Sequence, residues 1–242
     1  MKLTVPALIT GLALIISVYL STEAYKNRER AGDSIAVTGL GKKDFKSDLI
    51  VWEANFGRKE IDLQQAYAAL KEDREAVEIF LNQNGIDEND VQFSAVSINK
   101  DYDYQYDDNG RRYSIFTGHA LRQRVEVQSG NIELVEDVSR QITELINQGI
   151  EINSPSPQYY YTGLSELKIA MIASATEDAR MRAEQIAENA GAELDELQSA
   201  SMGIFQIIGQ HSNEDYSWGG TYNTSSKMKT ATITMKLKFG ID

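Results

Sequence analysis

The chain has 242 residues, 36 of them Asp or Glu against 24 Lys or Arg, a formal net charge of -12, and no cysteine. An acidic surface repels phosphate backbones and anionic lipid headgroups, so nucleic acid is not an expected partner. Without cysteine there is no disulfide, thiol nucleophile or cysteine metal site, and only two histidines remain for catalysis or metal ligation.

The run Leu3 to Leu20 (LTVPALITGLALIISVYL) holds no charge. A helix of roughly 18 residues is about 27 Å long, close to the thickness of a bilayer core. Lys2 precedes the run, and Glu23, Lys26, Arg28, Glu29 and Arg30 follow it. An uncleaved membrane anchor and a cleaved signal peptide both fit, with Thr22-Glu23-Ala24 as the best cleavage site. Flanking charge gives no clear orientation, since Lys2 is opposed by Lys26, Arg28 and Arg30. Long domains translocate largely regardless of such charge, so the bulk of the chain is placed outside the cytoplasm. Residues 1–24 thus read as signal peptide or membrane anchor, 25–33 as a charged linker and 34–242 as the exported domain. Residues 3–20 are the expected contact with the membrane.

Ser34 to Val37 opens a first strand, followed by Thr38-Gly39-Leu40-Gly41, where the glycines suit a tight turn. Leu49 to Gly57 is a second strand, with Ile50, Trp52, Ala54 and Phe56 on one face at the two-residue period of a half-buried sheet. Leu63, Ala66, Leu70, Val77 and Leu81 then recur at helical spacing, and Asn84-Gly85 closes that helix. Val91 to Tyr106 reads as a strand running into a hairpin, with Asp107-Asp108-Asn109-Gly110 as the turn. Tyr113 to Val127 returns, with Ile115, Thr117, His119, Leu121, Gln123, Val125 and Val127 on one face.

A second helix covers Ile132 to Asn147 and closes at Gly149. A short strand from Ile150 to Ile152 leads to Pro155, Pro157 and Tyr159-Tyr160-Tyr161. The third helix runs from Ser165 to Ala190, with Ile172, Ala175, Ala179, Ala183, Ile186 and Ala190 as an inward stripe. Glu177, Asp178, Arg180, Arg182, Glu184 and Glu188 form its solvated face. Leu197 to Ile208 is a broken strand, Gly209 to Met228 a long polar loop, and Lys229 to Phe239 a strand with Ala231, Ile233, Met235, Leu237 and Phe239 inward. Leu81–Ile86 (LNQNGI) and Leu145–Ile150 (LINQGI) echo each other. Two tandem strand–helix–strand units and two unrelated glycine caps both account for the echo. The fold class is α+β: an N-terminal membrane helix or signal, then strand–helix–strand units with antiparallel sheet and a long alanine-rich helix.

Ile35–Gly41 (IAVTGLG), Gly85-Ile86 followed by Asp90-Val91-Gln92, Tyr102 and Tyr104, the run Ala170–Gly191 (AMIASATEDARMRAEQIAENAG) and the alternating last strand together resemble the SIMPL-domain family of bacterial envelope proteins. The resemblance spans about Ser34 to Phe239. Ser47 stands where the family commonly has proline, and Phe93 where it commonly has threonine. The resemblance implies an α+β protein that is periplasmic or membrane-attached. The expected location is the cell envelope, with a periplasmic domain anchored in the inner membrane or released after cleavage. No catalytic residues are established for the family, so it implies none here.

The candidate chemistry is sparse. Gly39-x-Gly41 follows a strand, but Asp44 occupies the third glycine position of a dinucleotide fingerprint. Asp101, Asp103, Asp107, Asp108 and Asn109 supply oxygens, yet Tyr106 and Arg112 break the order of a calcium loop, which favours a solvated hairpin tip. His119 alternates with apolar neighbours as a packed residue, and His211 lies in the polar loop. No nucleophile elbow accompanies them. The expectation is no enzyme, no cofactor and no metal.

Aromatics remain. Tyr102, Tyr104 and Tyr106 share one strand face, Tyr113 lies across the turn, and Tyr216, Trp218 and Tyr222 sit in the polar loop. They read either as a contact surface or as local cross-strand packing. The leading function is a non-enzymatic envelope protein that binds a protein partner or forms a homo-oligomer, with Tyr216, Trp218 and Tyr222 as the binding residues. The alternative is a ligand- or glycan-binding module using the aromatic loops.

Overall fold

The computed structural model describes residues 11–22, 33–215 and 217–242, so the first part of the apolar run, most of the expected linker and Tyr216 lie outside the described residues. Residues 11–22 form helix α1, whose Leu12, Leu14, Ile15, Ile16, Val18, Tyr19 and Leu20 side chains are at least half exposed. Among the described residues, no helix is long and apolar enough to cross a membrane.

From Ser34 onward the chain is α+β and builds two antiparallel sheets. Strand β1 (Ser34–Lys46) belongs to one sheet, and β2 (Leu49–Glu60) begins the other. Helix α2 (Leu63–Gln83) follows, then β3 (Val91–Phe93), β4 (Ser97–Tyr106), β5 (Arg112–Ser129), α3 (Ile132–Gln141), β6 (Glu151–Asn153) and β7 (Gln158–Tyr160). The order across this sheet is β3-β5-β2-β6, with β4 also on β5 and β7 also on β2. Each strand–helix–strand unit therefore leaves one strand's width between its own strands, and the other unit fills it. Such split units interleave in one sheet, so the echo in the sequence is tandem architecture. Both echoes end in the same cap. Gly85 and Gly149 have φ of 85° and 77°, and the amides of Ile86 and Ile150 reach back to Leu81 O at 3.0 Å and Leu145 O at 3.3 Å.

The inward face of β2 is as the spacing predicts. Ile50, Trp52 and Ala54 are fully buried, against α2, α3 and the Leu121, Val125 and Val127 row of β5. The buried Trp52 indole donates to Ser154 Oγ at 3.1 Å, which meets the need of an indole N–H removed from water. Asp73 is also buried in this layer, and Arg58 holds it bidentately at 2.5 and 2.6 Å.

The hairpin differs from the sequence pattern in its buried row. Ile115, Thr117 and His119 do not continue the buried row, and Ile115 is exposed. Strand β2 ends at Glu60, opposite His119, so the outer part of β5 pairs with β4 alone and stands clear of the core. Tyr113 is not on the Tyr102, Tyr104 and Tyr106 face. It stands directly opposite Gln105 and donates its hydroxyl to Gln105 Oε1 at 3.0 Å. A register shift between Asp101 and Tyr102, beside Gly118 at φ 140°, resets which residues share a face.

The second sheet packs under helix α4 (Leu164–Ala190), with β8 (Leu194–Met202), β9 (Gln206–Gly209) and β10 (Met228–Ile241) in the order β1-β10-β8, and β9 also on β10. The buried stripe of α4 is Leu167, Met171, Ala175, Ala179, Ala183 and Ala187. Ile172 is only partly buried, and Ile186 and Ala190 are exposed, contrary to the predicted stripe. Contact along four-residue steps runs obliquely to a helix axis, so the line of contact leaves those positions outside.

The glycines of β1 are the counterpart of these alanines and do not serve a turn. A Cβ at Gly39 would lie 2.5 Å from Ala179 N and 2.7 Å from Ala179 Cβ; one at Gly41 would lie 2.6 Å from Met171 O. Both positions are mid-strand, and only glycine lets the helix backbone come this close. Between them, Leu40 N donates to Asp178 Oδ2 at 2.7 Å, so Asp178 ties helix to strand instead of facing water. That bond, with Arg182 beside it, holds the Asp178 carboxyl below its ordinary range.

Ala183→Glu is expected to lose on the order of 3 kcal/mol or more, because it overpacks the contact and buries a charge. Ala173→Glu, the same exchange at an exposed position of the same helix, is expected to lose well under about 1 kcal/mol. Chemical denaturation of both variants checks this, and equal midpoints would overturn the helix orientation.

Candidate functional site

Among its described residues the segment between β9 and β10 contains no helix or long strand, yet it is built. It returns to the free edge of β9: Ile207 N donates to Thr221 O at 2.7 Å, and Asn223 N to Ile207 O at 2.9 Å, forming a parallel bridge between Ile207 and Tyr222. Gln206, buried in β9, holds the segment from the same edge. Its Nε2 donates to Ser217 O at 2.7 Å and its Oε1 accepts from Thr221 N at 2.8 Å.

Lys229 holds the segment from below. The alternation of β10 predicts a strand residue of no special role, but Lys229 is fully buried. Its ammonium donates to Asn223 O at 2.5 Å, Ser226 O at 2.6 Å and Asn223 Oδ1 at 3.3 Å. An ammonium has three donors, so this set satisfies it. Asn223, also buried, passes the constraint on: its Nδ2 donates to Glu214 and to Ser225 Oγ, and its Oδ1 accepts from Ser226 N at 2.8 Å. Burial pushes the Lys229 ammonium down to about 8, partly offset by Glu214.

The segment also ties the two sheets together. Tyr159 N donates to Thr224 O at 2.7 Å, and Lys227 Nζ to Glu136 Oε2 on α3 at 2.8 Å. The Tyr159 hydroxyl donates to the other oxygen of Glu136 at 2.7 Å, and burial, with Glu136 adjacent, pushes its pKa up to about 12.

On this frame the predicted binding residues separate. Tyr222 is brought onto the tyrosine cluster: its hydroxyl accepts from Tyr161 N at 3.3 Å, and its ring lies 6.3 Å from that of Tyr160. Leu49, Val51, Tyr160, Leu164 and Tyr222 line a shallow apolar depression of about 450 Å³ there. Trp218 stands apart at 97% exposure, on a turn closed by Gly220 N to Ser217 O at 3.0 Å. Tyr216 lies outside the described residues. The periodicity of the sequence marks neither Gln206 nor Lys229 as the anchors of this surface. A lysine in an otherwise alternating core strand, six residues after an asparagine, was the available signal.

The model of the SIMPL family, described as a protein of unknown function (DUF541), matches residues 35–237. The chain belongs to the SIMPL family. The match begins with the glycine strand β1 and ends within β10, so it covers both sheets, the alanine helix and the 210–227 segment. No curated protein matches the chain.

Lys229→Met leaves Asn223 O and Ser226 O without their donor. Limited proteolysis is expected to cut within 210–227 faster in the variant than in the wild type at neutral pH. The folded protein holds Lys229 near pH 8 against an ordinary 10.5, so between those values the unfolded chain binds more protons and this group adds stability as pH rises. Below pH 8 both states are protonated, and the burial penalty is fully present. The melting temperature of wild type minus variant is therefore expected to rise from pH 7 to pH 10. A constant difference would show that Lys229 is not desolvated.

Proposed function

We propose that this SIMPL protein is an exported, non-enzymatic envelope component that binds a protein partner or further copies of itself through the 210–227 surface. Trp218 carries the reading. A fully exposed indole on a turn whose neighbours are anchored by Gln206 and Lys229 is a preordered apolar contact. Tryptophan is among the residues that dominate interface energies, and prior ordering lowers the entropy lost on binding. Export rests on the uncharged run Leu3 to Leu20. The non-enzymatic reading is supported by where the reactive groups are spent. His119 Nδ1 lies 3.1 Å from Ile61 O with its ring edge-on to Phe116, and Lys229 and Tyr159 are sequestered in structural bonds. A glycan is the second reading, favoured by the flat exposed indole in a Ser/Gly turn.

Trp218→Ala is expected to keep the wild-type melting temperature while weakening partner capture or self-association by roughly 2 kcal/mol, the scale of an interface hot spot. In-cell crosslinking with identification of captured proteins, sedimentation and glycan pull-down read the three possibilities. Unchanged results in all three would place the contact surface elsewhere. Tyr222→Ala is a poorer probe, because loss of its bond to Tyr161 disturbs the frame.

Export is checked separately. A reporter enzyme active only outside the cytoplasm, fused after Asp242, is expected to be active. Activity of a cytoplasmic reporter in its place would overturn the localisation.

A further inference from the structure

A second cavity, of about 370 Å³, lies between the C-terminal end of α2, the 3-10 turn Glu88–Asp90, β3 and β5, away from the 210–227 surface. Its size suits a small molecule. Its lining is unusual because opposite charges meet there without neutralising each other. Arg74 sits over the Phe93 ring at 4.6 Å, and no carboxylate among the described residues lies within ion-pair distance of it. Glu78, one helical turn further on, lines the same cavity and is likewise without an ion pair there. Glu88 uses one oxygen to accept from Asn82 Nδ2 at 3.1 Å.

The deeper observation is Gln123. It occupies the buried row of β5 between Leu121 and Val125 and is 6% exposed. Its Nε2 donates to Ser94 O at 2.8 Å, while its Oε1 accepts from no described group and is open to the cavity rather than sealed from water. The floor beside it is apolar, from Leu81, Ile86 and Phe93.

We propose that this cavity binds a small zwitterion with an apolar side chain, a free amino acid or a dipeptide. The Arg74 guanidinium, fixed over Phe93, takes the ligand carboxylate. Glu78 and Glu88 take the ammonium, and Gln123 Oε1 accepts an N–H from the same group or from a peptide bond. The apolar side chain covers Leu81 and Ile86. The two glutamates share the ligand's single ammonium, and the arginine faces its carboxylate.

The test is calorimetric titration of the full-length protein with L-leucine, leucyl-leucine, leucinamide (no carboxylate) and 4-methylpentanoic acid (no ammonium). Saturable binding is expected for leucine or leucyl-leucine, with each truncated analogue at least about tenfold weaker, the scale of one lost charge-assisted contact. Arg74 and Glu78 are exposed, so Arg74→Gln and Glu78→Gln are expected to keep the wild-type melting temperature. Arg74→Gln is expected to lose the preference for leucine over leucinamide, and Glu78→Gln the preference over 4-methylpentanoic acid. Trp218→Ala is expected to bind leucine normally, which separates this site from the partner surface. No saturable binding of leucine or leucyl-leucine, or preferences unchanged in the two variants, overturns the proposal.

Discussion

The buried ammonium of Lys229 is the interaction on which the outer surface of this protein depends. A charge removed from water is tolerated only where its donors are met, and here three oxygens of the 210–227 segment meet them. The constraint runs both ways. The lysine is held by the segment, and the segment is held in one conformation by the lysine. Asn223 and Gln206 extend that order outward to Glu214, Ser217 and Thr221. Trp218 is therefore displayed from a framework, although it touches little itself.

The two sheets reach stability by different means. The sheet built on β2 and β5 is filled by large side chains, Trp52, Phe56, Leu70, Leu81 and Leu121 among them. The sheet built on β1 and β10 relies on approach, with Gly39 and Gly41 against an alanine helix. The first mode tolerates volume-conserving exchange, whereas the second leaves no room for an added methyl group. Contacts such as Tyr159 to Thr224 and Lys227 to Glu136 join the two layers. The segment that displays Trp218 is thus also one seam of the fold.

Periodicity carried the sequence reading where one face of an element is buried along its whole length. The β2 face, the α2 ridge from Ala66 to Leu81 and the inward row Ala231 to Phe239 of β10 appear as their spacing implies, whereas Leu63 is exposed and Thr232, on the outward row of β10, is buried. It failed where the burial pattern depends on a partner far along the chain. Nothing local to Ile115 says that β2 stops at Glu60, and nothing local to Gly39 says that a helix more than a hundred residues away presses on it. The stripe of α4 was located but turned by a residue or so, since Ile186 has the composition of a core residue and the geometry of a surface one. At the candidate surface, aromatic composition pointed to the right segment. Its anchors are polar residues: Lys229 falls in register with the inward row of β10, but neither it nor Gln206 has the apolar character that periodicity tracks.

The two aromatic groups of the chain show why composition alone does not mark a contact surface. On the β4–β5 hairpin, Tyr102 packs edge-on to Phe116 at 5.7 Å, Phe116 meets the His119 ring at 5.0 Å, and the Arg112 guanidinium covers Tyr104 at 3.7 Å. The Tyr102–Phe116 and Arg112–Tyr104 contacts cross the strands, and with Phe116–His119 along β5 they stabilise a two-stranded ribbon that has no core beneath it. Lys100, Asp101 and Asp103 along β4 place charge on its open edge, a recognised defence against strand pairing between molecules. The hairpin aromatics are thereby largely used within the ribbon. Among the described residues Trp218 has no such neighbour, and its turn is fixed by backbone and glutamine contacts in which the indole takes no part. An apolar side chain that its own fold does not use, held on a frame that the fold maintains with a buried charge, is better suited to an external contact than one already covered by its neighbours.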